Sequence, residues 1–386
     1  MALLLPASTI NAIVDCAQTK DTTKMVDRLN VLVLMGGRDS EHDISIKTGT
    51  VVTNALDRKR YNIKPVQITR EGRWLIPSGF LSDSGDRADW LPWDESQPSH
   101  TDVSVGEVAN YSIDMALVRA EELGIDVVFV ALHGREGEGG AIQGLLETVG
   151  FPYTGSDVLG SALAMDKVRS KQLISFDGLS TPAFAAVTLW RWQSDADVVV
   201  EWVDQEIGYP AVVKIPDEGS SFGMAICKTE ASFREHIGSL LQQRPLVMVE
   251  EYIKGTEITC AVLGGLVGEE PTALPLIEIV PKTSEYFDFE AKYTPGATEE
   301  ICPARIDDAL TAQAQHMGVR AHELLGLEGM SRTDMIVREG QIYYLESNTI
   351  PGMTETSLYP QAAEAAGMTF PALLDRQIEL AIARKP

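Results

Sequence analysis

The most informative segment of the chain is Gly329-Met-Ser-Arg-Thr-Asp-Met-Ile-Val-Arg-Glu-Gly-Gln-Ile-Tyr-Tyr-Leu-Glu-Ser-Asn-Thr-Ile-Pro-Gly352. It predicts two strands, Thr333 to Val337 and Gln341 to Asn348, joined by the three-residue loop Arg338-Glu339-Gly340 with glycine at the left-handed position. A loop of that length sets the register of the ladder. The predicted pairs are Val337 with Gln341, Asp334 with Tyr344, and Arg332 with Glu346.

Four polar side chains share one face of this predicted hairpin: Arg332, Asp334, Glu346 and Asn348. Two carboxylates and an amide oxygen make a hard-oxygen cluster that suits Mg²⁺ or Mn²⁺. The arginine beside them can hold a phosphate or an oxyanion. The alternative is a solvated sheet face that carries an ion pair. The Pro-Gly turn of residues 349–354 favours the metal site, because it places a backbone N–H where a reacting group can lie.

Composition limits the classes of protein that this chain can be. With 386 residues and 44% hydrophobic residues, it can bury the cores of two or three domains as a soluble globular protein. The formal net charge of -24 makes nucleic acid and anionic membranes poor partners. No apolar run reaches the roughly 18 residues of a membrane span, and the first residues lack a secretory signal. Four scattered cysteines, Cys16, Cys227, Cys260 and Cys302, indicate reduced thiols and a cytoplasmic protein.

The N-terminal third alternates apolar strands with helices, which predicts a small parallel sheet. The strands expected are residues 30–35, 64–69 and 126–132. A helix should begin at Ser40, as N-cap, and run to Leu56. Glu41 would then lie at the edge where ligands of open α/β sheets bind. Residues 78–107, rich in Ser, Asp, Gly and Pro, indicate a surface excursion.

A glycine-rich loop, His133 to Gly140, follows the strand at 126–132 and precedes a helix over 141–149. Strand, loop and helix start together predict an anion or carboxylate site. His133 taken alone is more often a structural histidine than a ligand contact. Neither a dinucleotide fingerprint nor a GxxxxGK[ST] loop is present in the sequence.

A second loop of small residues, Asp217 to Met224, joins two expected antiparallel strands. Its backbone N–H groups and the hydroxyls of Ser220 and Ser221 can close over phosphates, with Lys214 supplying charge from the strand before it. The alternative is a flexible hairpin tip with an exposed lysine. A helix over residues 167–176 comes before it in the chain.

Glu250 and Glu257 end one expected strand and begin the next, so they can lie at the two ends of an adenosine slot. The alternative is that both are edge-strand charges. The segment Ser284 to Tyr293 is aromatic, charged and poorly periodic, which is typical of a lid loop.

Nine motifs in the chain resemble those of D-alanine–D-alanine ligases, in the same order. They are LMGGRDSEHDIS, ALHGREGEGGAIQGLLE, GSALAMDKV, VVKIPDEGSSFGM, VEEYIKGTEIT, YFDFEAKY, RTDM, ESNTIPGMT and SLYP. The resemblance implies an α/β chain with α+β elements and an ATP-grasp fold, in which a lid sheet and a C-terminal sheet hold ATP. The division implied is an N-terminal extension (1–29), a parallel-sheet substrate domain (30–160), a central lid domain (161–249) and an antiparallel-sheet catalytic domain (250–386).

The resemblance also implies roles for single residues. Phosphate contacts are implied for Lys167, Lys214, Ser220, Ser221 and Lys292, and adenosine contacts for Glu250, Ile253 and Glu257. Metal ligands are implied at Asp334, Glu346 and Asn348. The first substrate's ammonium is implied to meet Glu41, with Ser220 and Tyr293 as hydrogen-bonded partners and His133 near the carboxylate. Oxyanion donors are implied at Arg332 and the Gly352 N–H, and the second substrate's carboxylate site at Ser357 and Leu358.

The resemblance implies ligation of two D-alanines for the bacterial cell wall, with ATP and two Mg²⁺ or Mn²⁺. A monovalent cation is a further cofactor candidate. The implied assembly is a homodimer. The chain departs from the family at Gly139, where an aspartate is usual, at Ile215, which interrupts Lys-Pro, and at Phe287 and Phe289, where tyrosines are common. Three other functions stay open: a D-alanyl-D-lactate or other D-alanyl ligase, a glutathione-synthetase-like ligase, and an inactive nucleotide-binding scaffold.

Overall fold

The computed structural model describes residues 28–81, 90–96, 100–102, 105–113, 122, 124–219, 223–282, 298–354 and 357–384. Ser220, Ser221, Lys292 and Tyr293, the expected lid at 284–293 and most of the N-terminal extension lie outside the described residues. Three sheets organise the described chain, and each has helices packed against it. No helix in these ranges is both long enough and apolar enough to cross a bilayer.

The N-terminal sheet has the spatial order β4-β5-β3-β2-β1-β6. Its strands are β1 (Leu29–Gly36), β2 (Tyr61–Ile68), β3 (Trp74–Pro77), β4 (His100–Asp102), β5 (Gly106–Tyr111) and β6 (Val127–Val130). Its helices are α1 (His42–Ala55), α2 (Gly134–Glu138) and α3 (Ala141–Val149). Gly36 ends β1 with a φ of 92°, and a Cβ there would lie 2.1 Å from the Ile68 carbonyl oxygen, so only glycine allows the two strand ends to approach this closely.

The prediction of a parallel N-terminal sheet is only partly right, because the sheet is mixed. β1 pairs in parallel with β2 and β6, whereas β3, β4 and β5 add antiparallel pairs. The segment predicted as a surface excursion contains β4 and the first two residues of β5, and its Trp90 and Trp93 are buried in edge-to-face contact at 5.2 Å. Burial of two indole rings outweighs the polar composition around them. Ser40 is not the N-cap of α1 either, since that helix begins after Glu41, without a side-chain cap.

The central sheet is antiparallel, with the order β7-β10-β8-β9. Its strands are β7 (Phe184–Thr188), β8 (Ala211–Lys214), β9 (Ala225–Cys227) and β10 (Leu246–Glu251). The neighbouring helices are α4 (Val158–Met165), α5 (Lys167–Phe176), α6 (Leu189–Glu206) and α7 (Glu230–Gln243). Val203 of α6 and Phe233 and Ile237 of α7 are fully buried against the sheet, which gives it a core of its own.

The C-terminal sheet has the order β14-β13-β11-β15-β16, with β12 paired to β11. Its strands are β11 (Thr256–Leu263), β12 (Thr272–Ala273), β13 (Ile277–Pro281), β14 (Thr298–Ile301), β15 (Met330–Arg338) and β16 (Gln341–Asn348). The helices that follow or flank it are α8 (Asp308–Leu324), α9 (Leu358–Ala365) and α10 (Phe370–Arg384). Met335 and Tyr344 are buried on the side that packs on α8, so the opposite face is left for ligands.

The β15–β16 hairpin differs in register from the sequence prediction. Its loop has two residues, Glu339 and Gly340, with φ of 52° and 80°, and Arg338 pairs with Gln341. Left-handed conformations at both positions match the twist of a two-residue hairpin, whereas a three-residue loop was expected. That shorter turn alone would have put Asp334 opposite Leu345.

A bulge then changes the register by one more residue, so Asp334 pairs with Glu346 and Arg332 with Asn348. The predicted pairs, Asp334 with Tyr344 and Arg332 with Glu346, are therefore wrong by two residues. Since side chains alternate with a period of two, an error of two preserves the face. The prediction that these four polar side chains share one face is confirmed.

Candidate active site

Two cavities meet at the polar face of the β15–β16 hairpin. The first has a volume of about 130 Å³ and lies between the central and C-terminal sheets. The second, about 380 Å³, lies between the N-terminal and C-terminal sheets. Lys167, at the start of α5, and Glu346, on β16, line both of them. A molecule in the first cavity can therefore reach a molecule in the second across this one ion pair.

The first cavity combines apolar walls with buried charge. Val212, Ile226 and Ile336 supply apolar surface, and Ile253 and Glu257 lie at its rim. Its carboxylate, Glu250, is only 4% exposed and pairs with Lys214 Nζ at 2.5 Å.

Burial raises the pKa of the Glu250 carboxyl, but Lys171 and Lys214 outweigh it and hold that pKa below its usual range. β10 and β11 are interior strands of their sheets, and Lys214 is 12% exposed, so the alternatives of edge-strand charges and an exposed lysine are wrong.

The hairpin face concentrates hydrogen bonds on Asp334. Arg332 binds this carboxylate with two N–H groups at 2.9 and 2.8 Å, and the Thr259 hydroxyl donates to it at 2.6 Å. Asn348 donates from its amide nitrogen at 3.3 Å. Burial lowers the pKa of Arg332, but Asp334, Glu346 and Glu138 more than reverse this, so its pKa lies above the ordinary value and it stays charged.

The same residues can accommodate a divalent cation. Asp334 and Glu346 face each other across the ladder, and protein cations balance both: Arg332 on one, Lys167 at 3.2 Å on the other. Turning the Asn348 amide would present its oxygen to the same place, because the two ends of an amide are nearly equal in shape. Within the described residues no cluster of three His, Cys, Asp or Glu side chains is arranged for a metal. The fit is therefore that of two carboxylates and an amide oxygen, a set that suits Mg²⁺.

The second cavity brings together the residues predicted to hold amino-acid substrates. They are Glu41, His133, Gly352, Ser357 and Leu358. Glu41 is buried at the start of α1, and its Oε2 lies so near Gly219 that a Cβ there would be 2.8 Å away. At Gly219 the loop after Lys214 can therefore approach Glu41 this closely only because glycine has no side chain.

His133 is buried, with Nε2 2.8 Å from the Thr48 hydroxyl. Burial lowers the pKa of His133 to about 4, and Arg332 adds to this. The ring is consequently neutral near pH 7, so it can orient a carboxylate by hydrogen bonding and not by charge.

Glu138 is a residue of this cavity that the sequence did not single out. Its two carboxylate oxygens accept from the Gly134 and Ile350 N–H groups, each at 3.1 Å, which ties the glycine-rich loop to the Pro-Gly turn. Burial, with Glu41 nearby, raises the pKa of Glu138 to about 8. The sequence analysis also missed Thr48, whose hydroxyl contacts His133, and Thr259, whose hydroxyl donates to Asp334. No local sequence signal distinguishes these two residues from ordinary core threonines.

Gly352 and Ser357 lie against each other at the far wall. A Cβ on Gly352 would be 2.8 Å from the Ser357 hydroxyl oxygen, which accepts from the Thr354 N–H at 3.0 Å. The turn that follows β16 is thus closed by its own hydrogen bonds and holds the Gly352 backbone at the cavity wall.

Comparison with known proteins identifies the family. The family model "D-ala D-ala ligase N-terminus" matches residues 30–156, and "D-ala D-ala ligase C-terminus" matches residues 173–379. This chain belongs to the D-alanine–D-alanine ligase family. A D-alanine–D-alanine ligase of Syntrophobacter fumaroxidans is 43% identical over 92% of this chain and 98% of its own length.

Solved structures of the same family are similar over most of this chain. The D-alanine–D-alanine ligase of Coxiella burnetii superposes with a TM-score of 0.73 at 29% identity, covering 93% of this chain and 95% of that one. The Bacillus anthracis enzyme, solved with ATP, gives a TM-score of 0.68 at 28% identity and covers 92% of this chain and 98% of that one. The predicted ATP-grasp ligase fold is confirmed, apart from the mixed N-terminal sheet.

Proposed function

We propose that this ligase joins two D-alanines into D-alanyl-D-alanine for cell-wall precursor synthesis and converts ATP to ADP and phosphate. The observation that carries the proposal is the pair of cavities that meet at Lys167 and Glu346. One cavity offers the apolar slot and buried charges that an adenine nucleotide needs, and the other offers the groups that amino-acid ends need. A phosphoryl group passed between them has to cross the polar hairpin face.

The first cavity is proposed as the ATP site. Glu250, Ile253 and Glu257 would hold the adenosine, and Lys214 and Lys167 would neutralise the phosphates. Ser220, Ser221 and Lys292 are proposed as further phosphate contacts that close over the site. Asp334, Glu346 and Asn348 would hold two divalent cations, which screen the negative charge of the phosphates when bound.

The reaction proposed has two steps. A carboxylate oxygen of the first D-alanine attacks the γ-phosphorus of ATP, the bond to ADP breaks, and an acyl phosphate forms. The free amine of the second D-alanine then attacks the carbonyl carbon, phosphate leaves, and the amine loses a proton. Arg332 and the Gly352 N–H would stabilise the tetrahedral oxyanion.

Substrate positions follow from the second cavity. Glu41 would receive the ammonium of the first D-alanine, with Ser220 and Tyr293 as hydrogen-bonded partners and His133 near the carboxylate. Ser357 and Leu358 would receive the carboxylate of the second D-alanine. We further propose the domain division 1–29, 30–160, 161–249 and 250–386, a cytoplasmic homodimer, and exclusion of water by the lid at 284–293, because an acyl phosphate hydrolyses when wet.

A coupled assay for ADP release tests the proposal. D-alanine with Mg²⁺-ATP should support turnover, L-alanine should not, and chromatography should show the dipeptide. D-lactate offered beside D-alanine across pH 6 to 9 separates a dipeptide ligase from a D-alanyl-D-lactate ligase. Nucleotide binding without ADP release in any of these mixtures would indicate an inactive scaffold and contradict the proposal.

A further inference from the structure

A second buried lysine, Lys171, lies beside the proposed ATP site. It is on α5, one turn after Lys167, and is 0% exposed. Its ammonium lies 2.7 Å from the Thr181 hydroxyl oxygen, 3.0 Å from Glu250 Oε2 and 3.2 Å from the Tyr344 carbonyl oxygen. The first and the third of these contacts are hydrogen bonds, and the contact with Glu250 is an ion pair. Lys171 is fully buried and does not line the first cavity, so a phosphate bound there does not meet its ammonium.

The three partners of Lys171 come from three parts of the chain. Glu250 is on β10 of the central sheet, Tyr344 is on β16 of the C-terminal sheet, and Thr181 lies between α5 and β7. Tyr344 immediately precedes Leu345, the extra residue of the β16 bulge. Lys171 thus links the two sheets that enclose the first cavity, next to the bulge where the register of the β15–β16 hairpin shifts.

The buried carboxylate of Glu250 needs a counter-ion that stays in place when nucleotide binds, and Lys171 can supply it. This buried carboxylate is paired on Oε1 with Lys214 and on Oε2 with Lys171. Lys214 lines the first cavity, whereas Lys171 does not. When Lys214 turns its charge to a phosphate, Glu250 loses that counter-ion, and a buried carboxylate without a partner is strongly unfavourable.

We propose that Lys171 is a positioning residue, a permanent counter-ion that keeps Glu250 ionised and in place and so frees Lys214 for the phosphates of the nucleotide. The inference rests on the proposed ATP site and assigns a function to a residue that contacts no substrate. Burial lowers the pKa of Lys171 to about 8, opposed by Glu250, so the ammonium is held there by its carboxylate partner.

The test is a double-mutant cycle with Mg²⁺-ADP binding measured by calorimetry. In Lys171→Met, Lys214 is the one lysine left beside Glu250 among the described residues, so ADP affinity should fall about tenfold to a hundredfold, because a buried carboxylate has lost one of its two counter-ions. The KM for ATP should rise with it, and the KM for D-alanine should stay within twofold. Glu250→Gln alone should weaken ADP binding, because Glu250 is a proposed adenosine contact. In the Glu250→Gln background Lys171 has no carboxylate to balance, so Lys171→Met should reduce ADP affinity at least fivefold less there than in the wild type.

Lys64→Met is the matched control. Lys64 is equally buried, in the N-terminal sheet, and donates to the carbonyls of Pro77 and Gly79. Its loss should lower the melting temperature without changing ADP affinity. If Lys171→Met does not fold, Thr181→Val, which removes one acceptor and no charge, should weaken ADP binding a few-fold.

Three results would overturn the inference. They are wild-type ADP affinity in Lys171→Met, a loss of ADP affinity from Lys171→Met that is equally large in the Glu250→Gln background, and unchanged ADP affinity in Thr181→Val when Lys171→Met is unfolded. Dipeptide synthesis by the wild-type protein is measured in parallel. If any of the three occurs while the wild-type protein makes dipeptide, the assignment of Lys171 fails and the proposed function stands. If the wild-type protein binds ADP but makes no dipeptide, the proposed function fails, and the assignment of Lys171 is judged by the ADP affinities alone.

Discussion

Glu346→Gln is the variant that examines the proposed metal site most directly, since it removes one charge and keeps the shape. Glu346 faces Asp334 across the ladder and pairs with Lys167, so glutamine leaves one carboxylate where two were. Removal of a single charge-stabilising group from an active site costs about a hundredfold to a thousandfold in kcat, or roughly 2.7–4 kcal/mol of transition-state stabilisation. Asn348→Ala should lose roughly a hundredfold or more for the same reason.

Stability should respond very differently. The ion pair with Lys167 is largely buried, with 10% and 23% of the two side chains exposed. Glutamine keeps an acceptor for the Lys167 ammonium, which also donates to the Glu218 carbonyl at 2.9 Å, and it removes the repulsion between Glu346 and Asp334. The loss in free energy of unfolding should therefore stay below the roughly 3–5 kcal/mol of breaking a buried pair outright.

The assay pairs coupled ADP release at several Mg²⁺ concentrations with urea unfolding of the same samples. Glu364→Gln, the same substitution at an exposed position on α9, is the control and should match the wild type in both. Turnover of Glu346→Gln within threefold of the wild type would refute the assignment of Glu346 to the metal site. A loss of activity matched by a loss of stability would show that the residue is structural.

Three further predictions concern residues in or near the second cavity and the proposed substrate contact Tyr293. Tyr293→Phe should reduce turnover less than Asn348→Ala and leave ADP binding intact; loss of ADP binding would contradict its position at the substrate end. Glu138, whose pKa rises from 4.5 to about 8 on burial, holds a proton in the folded state that the unfolded chain lacks, so its contribution to stability falls as pH rises from about 5 to 8. Glu138→Gln should flatten that slope in urea unfolding at pH 5.5 and 8. Glu95→Gln removes the charged partner 3.0 Å from His42 Nε2, next to Glu41, and should raise the KM for D-alanine roughly threefold to tenfold with the KM for ATP unchanged.

Helices with local signals were predicted well from the sequence. The helix expected over 167–176 is observed as Lys167–Phe176, where the Asp166 side chain accepts from the N–H groups of Val168 and Arg169. The helix expected over 141–149 is also observed, and Gly150 ends it with a φ of 78°. In both cases the residue that starts or ends the helix is adjacent in the chain, so the sequence carries the information.

Register and burial were not predictable in the same way. The bulge at Leu345 shifts the register of β15 with β16 by one residue, whereas β15 pairs with β11 without a shift, and no local pattern of residues indicates this difference. Trp90 and Trp93 lie in a segment of loop composition, but they are buried in the same core cluster as the strands of the N-terminal sheet.

In this ligase, local sequence is enough to establish the chemical groups and the alternation that puts Arg332, Asp334, Glu346 and Asn348 on one face. The charged partners of such groups follow only from the folded chain. Lys171 is an example, because its spacing of four from Lys167 indicates a shared helix face but does not indicate its partners. Hydrogen-bonding capacity and strand alternation are local properties, whereas burial, pKa and ion pairing depend on distant segments that approach only in the folded chain.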